Sequence, residues 1–381
     1  MSRFLTAQRR LKTFVSELKE LGLQFLRLIP VVAKYNTAFR YFQTFGHVII
    51  LEKCPCHLEV TESIVLSLRE LNLQVTVITN SANARINDAH IRGWEALGAR
   101  TLLLPANAIY SRLVLSLASL AADCLIFNSS YDYLSRRYIF SSPLPRQVKA
   151  RSLWVQHEVG DVHRDLFLQD YAASGRLIAL VPCSIPTVPT FFPVYLKNDD
   201  VAANEDETTR ICVPGGGGVD FSLVFRALAN CRIDAEMHIT GWIEPDELFA
   251  VAAAEGVRSQ ISAYGRVPAS YLLRIAQDSS AILGPTAVSE YGFDRRVSGA
   301  RQLSVSLQVP LIITKSLAND LALPSGSYID SSSGLESAFK SLSRVNFMEQ
   351  SKQRRLLAEV WARDRSNAKA VWADAMKSFG C

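Results

Sequence analysis

From His47 onward the chain alternates between short runs of consecutive apolar residues and longer stretches whose apolar residues recur three or four apart. Runs of the first kind read as buried strands and the second as amphipathic helices. The pattern predicts strands over His47 to Glu52, Gln74 to Thr79, Thr101 to Leu104, Cys124 to Asn128, Leu153 to Gln156 and Ile178 to Val181. Helices are expected between them, over Val60 to Leu71, Asp88 to Leu97 and Tyr110 to Ala121. The alternation then stops: Lys197 to Thr209 holds five acids and no apolar period, as a linker would. It restarts with strands expected over Arg210 to Val213, Glu236 to Thr240, Ile261 to Tyr264, Ala281 to Gly284, Val309 to Ile313 and Ser327 to Asp330. Helices over Phe221 to Leu228, Glu247 to Ala254 and Ser270 to Ala276 separate them, and another opens on Ser298-Gly299 with Ala300, Leu303 and Leu307 on one face. Strands spaced by helices of this length form parallel sheets with right-handed crossovers. The expected fold class is therefore α/β, two doubly wound, Rossmann-like domains facing a cleft. We place one domain over residues 46–200, a linker over 201–209, a second domain over 210–345 and helices over 346–381.

Residues 1–45 differ from the rest. Eight basic residues oppose only Glu17 and Glu20, and Phe4, Leu11, Phe14, Val15, Leu18, Leu21, Phe25 and Leu28 fall mostly three or four apart. This is a basic amphipathic helix, stopped near Pro30. Packing on the adjacent domain, lying on an anionic membrane face and docking on a partner protein are all compatible with it.

The totals add bounds. With 381 residues, 49% apolar and 20% charged, the chain is an ordinary globular protein large enough for two cores. A net charge of +5 is too mild to imply nucleic acid. Seven scattered cysteines suggest a reducing compartment rather than a disulfide framework. Cys54-Pro55-Cys56-His57 has no second Cys/His pair at zinc spacing, so it reads as a loop after a strand and no metal is expected. No apolar run is long enough to span a membrane, and the first residues lack a signal-peptide pattern. The expected location is cytoplasmic, or peripheral on the inner face of the membrane.

Candidate chemistry gathers where strands end, because ligands of open α/β sheets bind outside the carboxyl edge. In the second half, Pro214-Gly215-Gly216-Gly217-Gly218 follows a strand and opens a helix. Such a run admits a diphosphate close to the backbone, although a tight turn needs the same glycines. It is not the dinucleotide fingerprint, since Asp220 stands where the third glycine belongs, and no Gly-Lys-Ser/Thr follows for an ATP loop. A helix beginning Ser298-Gly299 offers free N–H groups and a positive dipole end to an anion. The loop before it holds a lone acid, Glu290, ahead of Tyr291. In the first half, Trp154 to Gln156 runs into His157 and Glu158, with Asp161 close behind. His57 occupies another strand-end loop, with His163, Asp132 and Asn128 as weaker candidates.

Taken together, these segments resemble the nucleotide-sugar-binding domain of GT-B glycosyltransferases, with a distant likeness to the large retaining group-1 branch. The likeness is carried by Val213-Pro-Gly-Gly-Gly, by Tyr264-Gly265-Arg266-Val267-Pro268 leading into Tyr271, and by Ala281-Ile-Leu-Gly-Pro before Ser289-Glu290-Tyr291-Gly292. Ser298-Gly299-Ala300 through Leu307-Gln308-Val309-Pro310 completes it. It implies a transferase that moves a sugar from a nucleotide diphosphate sugar, used as co-substrate with no further cofactor, to a hydroxyl of a glycan or lipid-linked acceptor. Gly215, Gly216, Gly217, Ser298 and Gly299 would then face the diphosphate. Arg266 and Val267 would meet the base, and Glu290 and Tyr291 the donor sugar. His157 would bond the sugar or assist proton transfer, and Glu158 or Asp161 would act as base in an inverting enzyme. Asp364 to Trp372 resembles the closing helix that crosses back to the first domain in this fold.

Two departures stand out. The branch carries a second acid eight residues after the first, where this chain has Ser298, and it places an arginine and a lysine around the first glycine loop, where this chain has neither. Arg296, or else Arg266, Arg295 or Arg301, would have to supply the missing positive charge. A sugar-nucleotide epimerase of the same fold and a non-catalytic scaffold are the alternatives these departures leave open.

Overall fold

The computed structural model describes residues 46–54, 58–86, 88–128, 144, 146–195, 208–215, 218–241, 243–286, 291 and 299–381. The basic amphipathic segment, most of the polar stretch before Thr208, His57 and Asp132 lie outside the described residues. Two parallel sheets organise what is described. The first contains β1 (His47–Glu52), β2 (Gln74–Asn80), β3 (Arg100–Leu104), β4 (Cys124–Phe127), β5 (Ser152–Gln156) and β6 (Leu177–Ala179). The second contains β7 (Thr209–Val213), β8 (Ala235–Ile239), β9 (Ile261–Ala263), β10 (Ala281–Leu283), β11 (Leu311–Ile313) and β12 (Tyr328–Asp330).

Neighbouring strands run β3-β2-β1-β4-β5-β6 in one sheet and β9-β8-β7-β10-β11-β12 in the other. The two orders correspond strand for strand. Each reverses direction once, between β1 and β4 and between β7 and β10, which marks the two topological switch points. All six residues of β1 are buried because helices cover both faces of the sheet. Val48 and Ile50 enter a core shared with Ile64, Val65 and Leu68 of the helix Leu58–Glu70, while Ile49 and Leu51 point into the opposite core with Phe127 and Trp154.

A few boundaries differ from the apolar pattern, each for a local reason. The strand expected from Val309 begins at Leu311. Gln308 takes a φ of +58° to stop the preceding helix Gly299–Leu307, the Val309 N–H turns back to the Ser304 carbonyl at 3.1 Å, and Pro310 has no N–H to give a ladder. The helices expected over 346–381 form one continuous helix, Phe347–Lys377, of 31 residues and so about 46 Å long. Leu357 and Val360 pack in one core with residues of the helices around the second sheet, such as Leu303 and Leu321, whereas Ala368, Trp372 and Met376 pack beneath β1 and the helix Leu58–Glu70. One helix therefore braces both halves. Between those packing regions Trp361 Nε1 donates to the Tyr195 carbonyl at 2.9 Å, and Arg365 pairs with Glu70.

A second bridge shows how the halves face. Asp88 begins the helix Asp88–Ala96 after β2, and Ser270 lies in the first turn of the helix Ala269–Gln277 after β9. Helix starts of this kind sit at the carboxyl edge of a parallel sheet. The Ser270 hydroxyl donates to the Asp88 carboxylate at 3.1 and 3.2 Å, so the two carboxyl edges meet at a common junction.

Candidate active site

On the first-sheet side the site is built from side chains at three neighbouring strand ends. Glu52 ends β1, Asn128 follows β4 and His157 follows β5. Leu51 lies opposite Phe127 in the ladder, which sets Glu52 beside Asn128. The Glu52 carboxylate is fully buried; its Oε1 accepts the Cys54 N–H at 2.6 Å and its Oε2 accepts from Asn128 Nδ2. Asn128 Nδ2 also donates to Thr61 Oγ1 at 2.9 Å, and Asn128 Oδ1 lies 3.3 Å from His157 Nε2. Burying a carboxylate costs several kcal/mol unless donors meet it, and here they do.

His157 is half-buried and leads into the short turn Val159–Asp161. Gln156 Nε2 donates to the Glu158 carbonyl at 2.6 Å and reaches Asp161 Oδ2 at 3.4 Å. Burial and the neighbouring Glu158 charge push the Asp161 carboxyl above the usual carboxylate range, against the pull of Arg164 and Gln156. Glu158 itself is exposed. Histidine and carboxylate side chains at such a strand end are the residue types that can accept and pass on the proton of a hydroxyl. His163 is exposed, and its carbonyl accepts from Gln169 Nε2 at 3.1 Å.

On the second-sheet side the site is built from main chain. Gly215 after β7, Gly241 after β8 and Gly265 after β9 all have positive φ, at +77°, +129° and +61°. The Gly241 N–H donates to the Gly265 carbonyl at 2.8 Å. A Cβ on Gly241 would lie 2.3 Å from the Gly215 carbonyl oxygen, so glycine there is a steric requirement. The loops after β7 and β10 also touch. Thr286 N–H donates to the Gly218 carbonyl at 2.9 Å, Thr286 Oγ1 accepts the Asp220 N–H at 2.7 Å, and a Cβ on Gly218 would meet the Tyr291 ring at 2.7 Å. The glycine loop and the loop carrying Tyr291 thus sit together at the β7/β10 switch point.

Asp220, which stands where a dinucleotide fold has its third glycine, has a job of its own. Its carboxylate accepts the Leu223 N–H at 3.1 Å and caps the helix Phe221–Cys231. The helix Gly299–Leu307 also starts at this edge, where a helix N-terminus suits an anion. Gly299 is exposed and a Cβ there would meet nothing within 4 Å. Arg266 is exposed and Val267 half-buried in the loop just before Ser270, hence close to the junction between halves. Gly216, Gly217, Glu290, Arg295, Arg296 and Ser298 lie outside the described residues.

One expectation is corrected. Arg301 was a candidate for the missing phosphate cation, but its side chain is fully buried. Its Nε donates to the Leu321 carbonyl at 2.8 Å, an Nη donates to Asp364 Oδ2 at 2.6 Å, and its guanidinium lies 3.8 Å from the Phe192 ring centroid. Burial lowers its pKa, countered by the Asp364 charge and hydrogen bond. Arg301 joins the second half to the segment and the helix that brace it; it does not face a ligand. Sequence reasoning also passed over two residues, Glu52 and Gly241. The available signal for Glu52 was that β1, β4 and β5 hold apolar runs closed at their carboxyl ends by a polar residue, Glu52, Asn128 and Gln156. Nothing in the local sequence marks Gly241, because its requirement comes from Gly215 in another loop.

Among the described residues no cluster of His, Cys, Asp or Glu is placed to hold a metal, and no helix is long and apolar enough to cross a membrane. No family model matches the chain, and no curated protein matches it. Solved structures do. The chain is similar to HepE of Anabaena, solved in complex with UDP and glucose, with a TM-score of 0.57 at 10% identity over 87% of this chain and all of that one. It is also similar to a mutant O-GlcNAc transferase of Thermobaculum terrenum, with a TM-score of 0.52 at 15% identity over 87% of this chain and 67% of that one. The architecture is the GT-B fold, as the sequence resemblance implied: two six-stranded parallel sheets, each flanked by helices.

Proposed function

We propose that this protein is a glycosyltransferase that moves a sugar from a nucleotide diphosphate sugar to an acceptor hydroxyl in glycan or polysaccharide biosynthesis. The observation that carries this reading is the meeting of two unlike carboxyl edges, glycine main chain on one and a buried carboxylate–amide–imidazole chain on the other. Backbone N–H groups and the start of the helix Gly299–Leu307 suit a diphosphate leaving group, whose charge they stabilise as it develops. The opposite edge suits a hydroxyl that must lose its proton as its oxygen attacks the anomeric carbon and the sugar–phosphate bond breaks. His157 is the group we assign to bond that hydroxyl or the donor sugar, with Asp161 or Glu158 able to receive the proton.

Thermal shift against UDP, GDP and their sugars tests the binding half. A ligand at 100 times its dissociation constant stabilises a protein by about 2.7 kcal/mol, which is measurable. Stabilisation by one nucleotide family is expected; no response to any of them at millimolar concentration supports a non-catalytic scaffold instead. Product analysis after incubation with the bound sugar nucleotide alone tests the reaction. An epimerised sugar nucleotide formed without acceptor supports the epimerase reading, whereas transfer that requires an added glycan or lipid-linked acceptor supports ours. Residues 1–45 we assign to an anionic membrane face, where each basic residue contributes about 1 kcal/mol. The full chain should then sediment with anionic vesicles at low salt and not with zwitterionic ones.

A further inference from the structure

We infer that the Thr286 hydroxyl closes the glycine loop after β7 and so positions its main chain for the diphosphate of the donor. The argument starts from strand register. β7 and β10 are parallel neighbours, with Ala281 opposite Ile211 and Ile282 opposite Cys212. Past those pairs the sheet reaches its switch point, where connections from adjacent strands leave in opposite directions. The two chains nevertheless meet again at Thr286. Its N–H donates to the Gly218 carbonyl at 2.9 Å, and its Oγ1 accepts the Asp220 N–H at 2.7 Å. The hydroxyl hydrogen has the Gly218 carbonyl within reach at 3.4 Å. A residue in a parallel ladder donates its N–H to one carbonyl of the neighbouring strand. On its own carbonyl it accepts the N–H two residues further along. Thr286 makes that pattern around Val219, with a side-chain oxygen in place of the carbonyl.

Between these two meetings the chains cover unequal lengths. Val219 lies seven residues beyond Cys212, whereas Thr286 lies four beyond Ile282. The β7 side therefore has three residues more to place between points that the β10 side fixes. Gly215 and Gly218 help to place them, turning the chain at φ of +77° and +76°. The entry of the loop is held against the second strand of the sheet, since a Cβ on Gly241 would stand 2.3 Å from the Gly215 carbonyl oxygen. Its exit is held by Thr286 and by the Tyr291 ring, which lies 2.7 Å from where a Gly218 Cβ would be. A short segment fixed at both ends has fewer conformations to lose when an anion binds its main chain. Thr286 need not touch that anion. It is a positioning residue, and the inference rests on the transferase reading for what the anion is.

Calorimetry of UDP and GDP on the full chain tests this. Thr286→Val keeps the shape of the side chain and removes the acceptor for the Asp220 N–H, whereas Thr286→Ser keeps the hydroxyl. The dissociation constant of whichever nucleotide the wild type binds is expected to rise about five- to tenfold in Thr286→Val, the range of one lost hydrogen bond. In Thr286→Ser it should stay within about twofold of wild type. Inorganic pyrophosphate has no base, so its inhibition constant against that nucleotide should rise by the same factor in Thr286→Val. Thr286→Ala serves in place of Thr286→Val if the valine protein does not fold. Unchanged nucleotide or pyrophosphate affinity in Thr286→Val, or a serine variant no better than the valine one, overturns the inference. Hydrogen exchange at the Asp220 amide supplies a readout that needs no ligand: it should quicken in Thr286→Val and not in Thr286→Ser, and equal exchange in all three proteins also overturns it. An amide that responds as expected in a protein binding neither nucleotide would instead sink the transferase reading and leave the loop closure intact.

Discussion

The two halves share strand number, strand order and the position of the switch point, yet their carboxyl edges are made of different material. The first edge works through side chains: Glu52, Asn128 and His157 linked in hydrogen bonds, and Asp161 held by Gln156. The second works through glycine, at 215, 218, 241 and 265, all at positive φ; the Gly215 backbone excludes a side chain at Gly241 and the Tyr291 ring excludes one at Gly218. Under the proposed function, the difference follows from what each edge would recognise. A diphosphate is a diffuse anion that main-chain N–H groups can surround, and any residue with a Cβ would hold it off. A reacting hydroxyl needs one acceptor at one place, which only a fixed side chain supplies. One topology thus supports two kinds of site, and loops at strand ends are what distinguish them.

The largest expected effect comes from breaking the brace that holds the two edges in register. Asp364→Ala leaves Arg301 fully buried beside Phe192 and Leu321 without its counter-charge. Removing one member of a buried ion pair typically costs about 3–5 kcal/mol. Chemical denaturation should show a loss of that order. Replacing both partners with apolar residues of similar volume should recover much of it, since the pair's own desolvation is then removed as well. An Asp364→Ala protein of unchanged stability would mean that the guanidinium reaches water and that the halves are not keyed together there.

Gly241→Ala sharpens the contrast within the second edge. The added Cβ would sit 2.3–2.6 Å from the Gly215 backbone, and a φ of +129° is strained for alanine in any case. Gly256→Ala is the matched control: its φ is +76° but a Cβ there meets nothing within 4 Å. Strain at positive φ costs on the order of 1–3 kcal/mol, so both variants lose that much. Only Gly241→Ala should also displace the Gly215 loop and abolish the nucleotide-dependent thermal shift. Equal nucleotide responses in the two variants would separate the glycine crevice from ligand binding.

Much of the architecture was readable in the sequence because buried parallel strands are nearly continuous apolar runs. β1 spans the very residues the pattern predicted, and β5 and β7 each begin one residue earlier. The site was less readable, and the reason differs by residue. His157 was legible as a polar residue at a strand end, whereas Glu52 looked like the last residue of a strand until Asn128 was seen to reach it from a point 76 residues away. Arg301 misled because its distance from Gly299 suggested a ligand-facing charge. Every residue from Ala300 to Leu307 is buried, since the helix is covered by chain that arrives from residues 192 and 364. Burial imposed by distant segments has no local signature. Requirements of the same origin hide Gly241.

The smallest expected effect is at the seam where the edges meet. Burial alone would raise the Asp88 pKa, but hydrogen bonds from the Ser270 hydroxyl and N–H, with Arg92 at 2.8 Å, hold its carboxyl below the usual range. Pro268 supplies no side-chain cap to the helix Ala269–Gln277, so Asp88 caps that helix from the other half of the molecule. A group with a depressed folded pKa contributes stability that is complete above its unfolded value, about 3.9 for aspartate, and is lost as pH falls through the folded value. The neighbouring His90 titrates with the opposite sign. Burial would lower its pKa, but Glu62 at 2.7 Å raises it, so its contribution is complete below the ordinary histidine value and disappears as pH rises through the raised one. Asp88→Ala should therefore cost about 0.5–2 kcal/mol at neutral pH, as the loss of a helix cap does, with less difference from wild type in acid. Denaturation midpoints of both proteins from pH 3 to pH 7 check this. Two curves that run parallel down to pH 3 would show that the carboxylate of Asp88 does not tie the two edges together.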